Sequence, residues 1–591
     1  MAEQNLIVDI IPTIPDGLLH GQEVPYGWAV RIHRWLSDGS GQGIFRKVKP
    51  LPPETGEPLE GTLSVSLEER HESADAPESK DIYTKREFPF RCARNITGWD
   101  CRWYESSVVE VEPPFQERLR RDGNITYVLS VGVKDASGMD LGSAELSFAN
   151  LPTWCLWDVE LDRPGGIEKV VNGRRIVAGT RAAAYPGDFT GEGRAGFIHV
   201  VGTLHLAAYD ATGKKLWDRD DPAGAAVYNS TNANVCDING DGKDEVIAMR
   251  GKPPEARLEI LEGTTGRTLK SVPWPAKGED LRRWHHGGNR GDMAYTYDAK
   301  IYVADFRGLG QPRDIVLQTG DENQVLYTAL NDELEVLWEF DVPRQRQIDG
   351  GAGSHTPIIY DINRDGKDEM LAGTYMLDSS GKILWMIPFE PIFAGGGDDH
   401  IDGADVGPVG EDGRVVVAFP NNCVVADALS GEVLWKKGSD HGQVAYVRKL
   451  RRDLPGNQII FSEKLNTRRL FDAQGNEIDC AVGNGTERDW WADGEGMHLW
   501  PIAESRLVDW DGSGEQDQVV GSLVLDRNGR CIGVGEWTAC PLVDDKVWGS
   551  TVLQLRLNFN VTRARAFSGI PIPPPGNKKL NLSLEICNCI D

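Results

Sequence analysis

An all-β chain is predicted by three observations. Helical periodicity is almost absent, short alternating runs are punctuated by Gly, Asp and Asn, and one turn recurs about every fifty residues. The turn reads Asp-x-x-Gly followed by an aliphatic residue and Trp. "DATGKKLW" ends at Trp217, "DSSGKILW" at Trp385 and "DALSGEVLW" at Trp435; weaker copies lie near Gly266, at Trp338, near Gly475 and near Gly529. A period of this length built from short strands is that of a β-propeller, whose blades are four-stranded sheets around a central channel. The expected fold is a calcium-binding β-propeller of seven blades, or eight if "WCLWDVEL" and "CPLVDDKVW" combine to close the ring. Each Gly turn joins the two outer strands of a blade, with its Trp packed between neighbouring blades.

Before about residue 150 the signature changes. "LIVDIIPTI", "GTLSVSLEE", "ITYVLSVGVKDASG" and "SAELSFA" alternate as strands of a small sandwich do. The expected organisation is an N-terminal β-sandwich over 1–150, the propeller over 151–560, and an irregular tail with a Pro run over 561–591.

Sixty-three basic against ninety acidic residues give a net charge of −27. Such a chain lacks the basic footprint of a nucleic-acid binder, and an acidic substrate needs a local cationic pocket. No run approaches the length of a membrane span. The start, "MAEQNLIVDIIPTIPDG", carries no signal-peptide pattern, so the expectation is a cytoplasmic protein or a secreted one already trimmed. Ten scattered cysteines form neither a zinc-finger nor a redox CxxC spacing.

A second repeat, "DINGDGKDEV" from Asp237 and "DINRDGKDEM" from Asp361, places oxygen ligands at alternate positions around a Gly turn. Asp237, Asn239, Asp241 and Glu245 form one set; Asp361, Asn363, Asp365 and Glu369 a second; Asp509, Asp511, Ser513 and Asp517 a third. Such a loop suits Ca2+, a hard cation that takes six to eight oxygens. It differs from an EF-hand, lacking both the bidentate Glu at position 12 and flanking helices. Degenerate copies begin at Asp188 and Asp305. The expected role of these ions is to staple hairpins, so chemistry is sought elsewhere.

Three histidines recur at the entry to successive blades: His355 in "GAGSHTPIIY", His400 in "GGGDDHIDGAD" and His441 in "GSDHGQVAYV", 45 and 41 residues apart. His498 is a fourth candidate, and His286 and Arg290 sit on the insertion "RRWHHGGNRGD". Blade symmetry brings such residues together at the mouth of the channel, where mixed His and carboxylate groups suit a metal or acid–base work.

The run from "GAGSHTPIIYDINRDGKDEMLAGTYMLDSSGKILW" through "DHGQVAYVRKLRRDLPGNQIIFSEK" resembles the β-propeller rhamnogalacturonan lyases and related rhamnose–uronate lyases. The resemblance covers roughly residues 180 to 530. It implies cleavage of a rhamnose–uronic acid linkage in an acidic polysaccharide by β-elimination, in a cleft above a calcium-rich propeller. That reaction needs a cation at the uronate carboxylate, a base for the C5 proton and an acid for the leaving oxygen. A channel calcium, or Arg290 and Arg448, are candidates for neutralisation; His286, His355, His400, His441 and Lys464 are candidates for the base, His400 and His441 being favoured for their acidic neighbours. Trp490 and Trp491 in "ERDWWADGEG" are candidates for stacking on sugar rings. Two rival readings stand beside it. The Trp turns also resemble those of pyrroloquinoline-quinone dehydrogenases, without their vicinal Cys pair. A non-catalytic, calcium-stabilised carbohydrate- or protein-binding propeller accounts for the loops but gives the histidines no purpose.

Overall fold

The computed structural model describes residues 7–569 apart from 37–56, 72–77, 100–101, 112–118, 162–166, 172–173, 179–181, 225–231, 252–254, 276–298, 321–324, 343–351, 389–391, 393–399, 402, 439–441, 449–453, 464–466, 483–505, 509, 511–516, 521–522, 527, 535–542, 546–548 and 556–562. Among the described residues there are forty-two β-strands and a single 3-10 turn, Asn421–Cys423. The chain is all-β.

From Ala182 onward the strands gather into four-stranded antiparallel meanders, each built from strands consecutive in the chain. The first sheet comprises Ala182–Gly187, Gly196–Val201, His205–Tyr209 and Lys215–Asp220. The second begins at Ala233–Cys236, the third at Ala299–Ala304, the fourth at Ile358–Tyr360, the fifth at Asp405–Val409, the sixth at Gly442–Arg448 and the seventh at Arg506–Val508. The eighth joins both ends of this part of the chain. Val543–Asp545, Gly549–Leu555 and Arg563–Ser568 take Trp154–Glu160 as their outer strand. "WCLWDVEL" and the stretch opened by "CPLVDDKVW" thus share one sheet, with Ala566 opposite Trp157.

The burial of each strand follows from its place in the stack. Second strands such as Gly196–Val201, Glu245–Arg250 and Asp314–Thr319 are buried along their whole length, which explains their near-continuous apolar sequences. Fourth strands such as Lys215–Asp220 and Val336–Asp341 are mostly exposed and read as alternating. Six hydrophobic clusters each draw their residues from two neighbouring sheets. Five run in order, from the first sheet with the second to the fifth with the sixth. The remaining one packs Leu156, Trp157 and Ala566 of the eighth sheet against Phe197 and Tyr209 of the first, where the three rings of Trp157, Phe197 and Tyr209 stack.

Four of the sheets are also latched to the next at its outer turn. The indole N–H groups of Trp217, Trp338, Trp385 and Trp435 donate to the carbonyls of Gly263, Ser379, Ala428 and Ala473 at 2.7, 3.1, 2.9 and 3.3 Å. Under each ring lies the turn glycine of the following sheet: Gly266, Gly381, Gly431 or Gly475. A Cβ on any of these would come within 2.6–2.8 Å of the indole, and all four adopt a left-handed φ of 66–79°. The third sheet departs from the rule in an informative way. Its turn carries Leu334 at φ 63° where the others carry glycine. The preceding sheet there presents Lys270 rather than Trp, and Lys270 Nζ donates to the Asp332 carbonyl at 2.6 Å and pairs with Glu333 at 2.8 Å. At this turn no indole covers the residue, and a side chain fits.

Before Phe148 two further sheets face one another. Ile7–Thr13, Gly27–Leu36, Arg102–Val111 and Asn95–Trp99 form one; Glu78–Cys92, Leu59–His71, Ile125–Asp135 and Asp140–Phe148 form the other. Val8, Ile10, Trp28 and Val30 of the first share a single cluster with Leu63, Val65, Tyr127 and Leu129 of the second. These two sheets are tied to the rest of the chain at two places. Ala149 N–H donates to Cys531 O at 2.9 Å, which continues the seventh sheet into the N-terminal one. Residues 18–24 run beside the outer strand of the eighth sheet, with Gly21 N–H on Cys155 O at 2.9 Å and Val24 N–H on Thr153 O at 2.8 Å.

The expectation of an irregular tail from 561 is corrected. Arg563–Ser568 is a strand, because its alternation buries Ala564 and Ala566 against the first sheet while Arg565, itself buried, pairs with Asp16 and lies 3.4 Å from Asp158. The rest of the tail, 570–591, lies outside the described residues.

The latch predicts a coupled pair of costs. Gly381→Ala should lower the unfolding free energy by about 2–4 kcal/mol, from the indole clash together with left-handed strain. In a Trp338→Ala background the same change should cost only about 1–2 kcal/mol, the strain alone. Urea denaturation of the four variants completes the cycle, and equal costs in both backgrounds would contradict the latch.

Candidate functional site

The strand order gives each sheet two edges with different chemistry. Connections between the first and second strands carry the Asp-rich loops, while connections leading into a first strand carry the histidines. Because strands within a sheet alternate in direction, these two kinds of connection lie at opposite edges. The repeated loops are therefore separated from the histidines by the length of a strand.

At the Asp edge, each loop is closed by its own backbone. The Asp237 carboxylate accepts the N–H groups of Gly240, Asp241 and Gly242 at 2.7–2.9 Å. Asn239 Nδ2 stands 2.8 Å from Glu245 and 3.4 Å from Asp241. Asn363 repeats this at 3.2 Å from Glu369 and 3.3 Å from Asp365. Burial, then the nearby Asp241 and Asp237 charges, push the Glu245 carboxyl up to about 8. Burial, then Asp365 and Asp361, push Glu369 up to about 7. Among the described residues no three His, Cys, Asp or Glu side chains converge as they stand on a metal-sized centre. Asp237 is turned to backbone N–H groups, and an asparagine amide stands between the other two acids. Of the third set, Asp509, Asp511 and Ser513 lie outside the described residues. Asp517 accepts the Trp510 N–H at 3.1 Å, as Glu369 accepts that of Ile362 at the same distance.

The residue before each position-nine acid has a role that its sequence did not suggest. Asp244 accepts the backbone N–H of Asp188 at 2.6 Å, and Asp368 accepts that of Asp305 at 2.7 Å. Each binds its own sheet to the preceding sheet's degenerate loop. Burial, followed by the Asp188 and Asp237 charges, pushes the Asp244 carboxyl up to about 7.

At the opposite edge His355 and His400 meet. Their rings lie edge to face, 4.6 Å between centroids. His355 N–H donates to Ile401 O at 3.0 Å, and Ile401 N–H returns to Gly353 O at 2.9 Å, so the two entry loops pair like strands. Asn421 Nδ2 donates to His400 O at 3.3 Å from the 3-10 turn, where Asn422 and Cys423 both take left-handed conformations. That turn is pressed against Gly442, whose added Cβ would come within 1.9 Å of Pro420 O. His441 immediately precedes this glycine and lies outside the described residues. On the other side of His355, Lys300 Nζ and Gln318 Nε2 both donate to its main-chain carbonyl. Neither Lys300, Gln318 nor Asn421 was singled out from the sequence; a lysine inside the apolar run "DAKIYVADF" was the available signal.

Arg448 is removed from the candidate set. It ends the strand Gly442–Arg448 at the Asp edge, about 20 Å along the strand from the histidine edge, and lies over the Tyr446 ring at 5.0 Å. His286, Arg290, Lys464, Trp490, Trp491 and His498 lie outside the described residues. A second histidine pair escaped the sequence reading. His199 and His205, buried in the first sheet, lie 5.8 Å apart, with His205 Nδ1 2.8 Å from Asp220.

The resemblance read from the sequence is shown by comparison with known proteins. As a class, the chain resembles the rhamnogalacturonan lyases: residues 252–529 match the family model "Rhamnogalacturonan lyase family 11, C-terminal domain". Among particular proteins, the rhamnogalacturonan endolyase YesW of Bacillus subtilis is 26% identical over 352 residues, 53% of each chain. The rhamnogalacturonan exolyase YesX of the same organism is 27% identical over 408 residues, 60% of this chain and 62% of that protein. The match thus spans little more than half the length of these relatives. In fold, the chain is similar to the crystal structure of YesW (TM-score 0.50, 18% identity, 95% of this chain and 91% of that one). It is also similar to the Bacillus licheniformis rhamnogalacturonan lyase PL11 (TM-score 0.52, 17% identity, 96% and 90%).

The raised carboxyls predict a pH dependence with a definite sign. Asp244, Glu245 and Glu369 hold protons in the folded state that the unfolded chain has released by about pH 5, so raising the pH favours unfolding. In a chelating buffer Tm should fall as the pH is raised from about 5 to about 8. A Tm that rises across this window would contradict the assignment.

Proposed function

We propose that the chain is a polysaccharide lyase that cleaves rhamnogalacturonan by β-elimination at its uronic acid. The observation that carries this reading is the His355–His400 contact. Two imidazoles from successive sheets are brought together at the edge away from the Asp-rich loops, within the stretch that matches the lyase family model. In the proposed step a neutral imidazole takes the C5 proton of the uronate, the C4–C5 double bond forms, and the C4–O bond breaks as the leaving oxygen gains a proton. His355, His400 and His441 supply the imidazoles. Arg290 and Lys464 supply positive charge for the carboxylate, and Trp490, Trp491 and His498 are offered to sugar rings. His286 remains a further base candidate.

The same reading takes the eight sheets as blades of one propeller closed by Trp154–Glu160, and the two facing N-terminal sheets as a β-sandwich. It takes Ca2+ as a structural ion in the Asp237 and Asp361 loops, with Asp509, Asp511, Ser513 and Asp517 as a third set. The donors fit: Glu245 Oε2 is buried without a hydrogen-bond partner, and burial, with the Asp241 and Asp237 charges beside it, raises its proton affinity. The degenerate loops at Asp188 and Asp305 lack part of this donor set. Bound calcium would hold these acids ionised. It belongs to the Asp edge and takes no part in the chemistry proposed here.

Two measurements test these statements. The purified chain should release unsaturated uronide from rhamnogalacturonan, followed by ultraviolet absorbance, and His355→Ala or His400→Ala should reduce kcat by about 10²–10⁴-fold with the fold intact. Activity on a rhamnose–glucuronate glycan such as gum arabic, with none on rhamnogalacturonan, would keep the chemistry and change the substrate; activity on neither overturns the reading. Separately, calcium should raise Tm more at pH 8 than at pH 5, because at the lower value Glu245 and Glu369 still hold protons that the ion must displace. An equal shift at both would argue against the loops as its site.

A further inference from the structure

Two fully enclosed polar side chains near the histidine edge belong to a sheet that contributes neither imidazole of the pair. Lys300 stands second in the first strand of the third sheet, Ala299–Ala304, and is 1% exposed; Gln318, directly opposite it in Asp314–Thr319, is 0% exposed. Their neighbours two positions along, Tyr302 and Val316, belong to the cluster shared with the fourth sheet, so both side chains face that sheet. There they converge on one atom. Lys300 Nζ and Gln318 Nε2, the latter at 2.9 Å, both donate to the carbonyl oxygen of His355. Gln318 Nε2 also reaches Gly320 O at 3.2 Å, which fixes the orientation of its amide.

A buried ammonium is costly unless it is held in hydrogen bonds, and a charged donor makes roughly twice the bond of a neutral one. Placing lysine in this strand where its neighbours in sequence are Ala299 and Ile301 therefore needs a reason beyond core packing. The same peptide is held from the other side, since His355 N–H donates to Ile401 O at 3.0 Å and Asn421 fixes His400 O at 3.3 Å. The imidazole pair is thus suspended between the third and fifth sheets by its main chain. We propose that Lys300 and Gln318 are positioning residues of the active site, which set His355 against His400 through the His355 carbonyl. The proposal rests on the lyase reading for its kinetic consequence, but its geometric content stands apart from it.

A displaced reacting group of about 1 Å is enough to reduce turnover on the order of 10²-fold while leaving distant sugar contacts in place. In the full chain, Lys300→Met should therefore lower kcat by about ten- to a hundred-fold with KM changed less than about two-fold, and Gln318→Met should lower kcat by a smaller factor. Lys300→Arg, which retains a charged donor, should recover most of the activity. Crystal structures of the same variants supply a readout independent of catalysis: in Lys300→Met the His355 carbonyl should turn away and the two rings should separate. Unchanged kcat and an unchanged ring pair in Lys300→Met would overturn the proposal, as would loss of activity in Lys300→Arg equal to that in Lys300→Met. Should Lys300→Met fail to fold, Gln318→Met carries the decision by the same two readouts. A wild-type chain that is inactive, with the ring pair lost in Lys300→Met, would reject the lyase reading and leave the positioning role standing.

Discussion

The indole laid across the next sheet's turn glycine is the contact on which the rest of this molecule depends. A four-stranded meander of this kind buries both faces of its inner strands but leaves its outer strand half exposed, so packing alone holds neighbouring sheets only over their inner part. The Trp side chains of the fourth strands extend that grip outward and add an N–H donor whose acceptor lies in the neighbouring sheet. The exception in the third sheet supports this account from within one chain. Leu334 occupies a left-handed position opposite Lys270, whereas every indole-covered turn keeps a residue without a Cβ. Inner-edge links such as Asp405 to Val447 N–H at 2.8 Å and Asn234 to Ile301 O at 3.1 Å set the spacing where the first strands approach one another.

Much of the architecture was legible because the repeat writes the same physics several times. The Asp of each turn accepts local N–H groups, as Asp210, Asp378 and Asp472 do, and the glycine supplies the left-handed residue. A single copy would have been ambiguous, but seven at one period were not. The Asp-rich loops were equally visible as a pattern, yet half of their meaning was hidden. Nothing in "GKDE" distinguishes the acid that faces its own loop from Asp244, which reaches back to the preceding sheet.

The histidine edge was legible in part. The period pointed to His355 and His400, and these rings do meet. Arg448 was misplaced because its distance along the strand, rather than its neighbours in sequence, decides which edge it joins. Lys300, Gln318 and Asn421 were missed for a related reason. They act on main-chain atoms of a neighbouring sheet, and a carbonyl acceptor leaves no trace in the sequence that contains it. The histidine pair His199–His205 lies in a strand and the next strand's first residue, off the blade-entry position that drew attention to the others.

The eighth sheet has a consequence for how the molecule is made. Its outer strand, Trp154–Glu160, is synthesised early, while its partner Arg563–Ser568 is among the last described segments to leave the ribosome. Until then Trp154–Glu160 and the chain beside it, residues 18–24, present an unpaired edge, and the first sheet lacks the neighbour that covers Phe197 and Tyr209. Domains of this size ordinarily fold in step with synthesis. This one must wait for Arg563–Ser568, so a chain that stops short of that strand would carry an open seam, recognisable to chaperones and proteases by its bare strand edge and uncovered aromatic face.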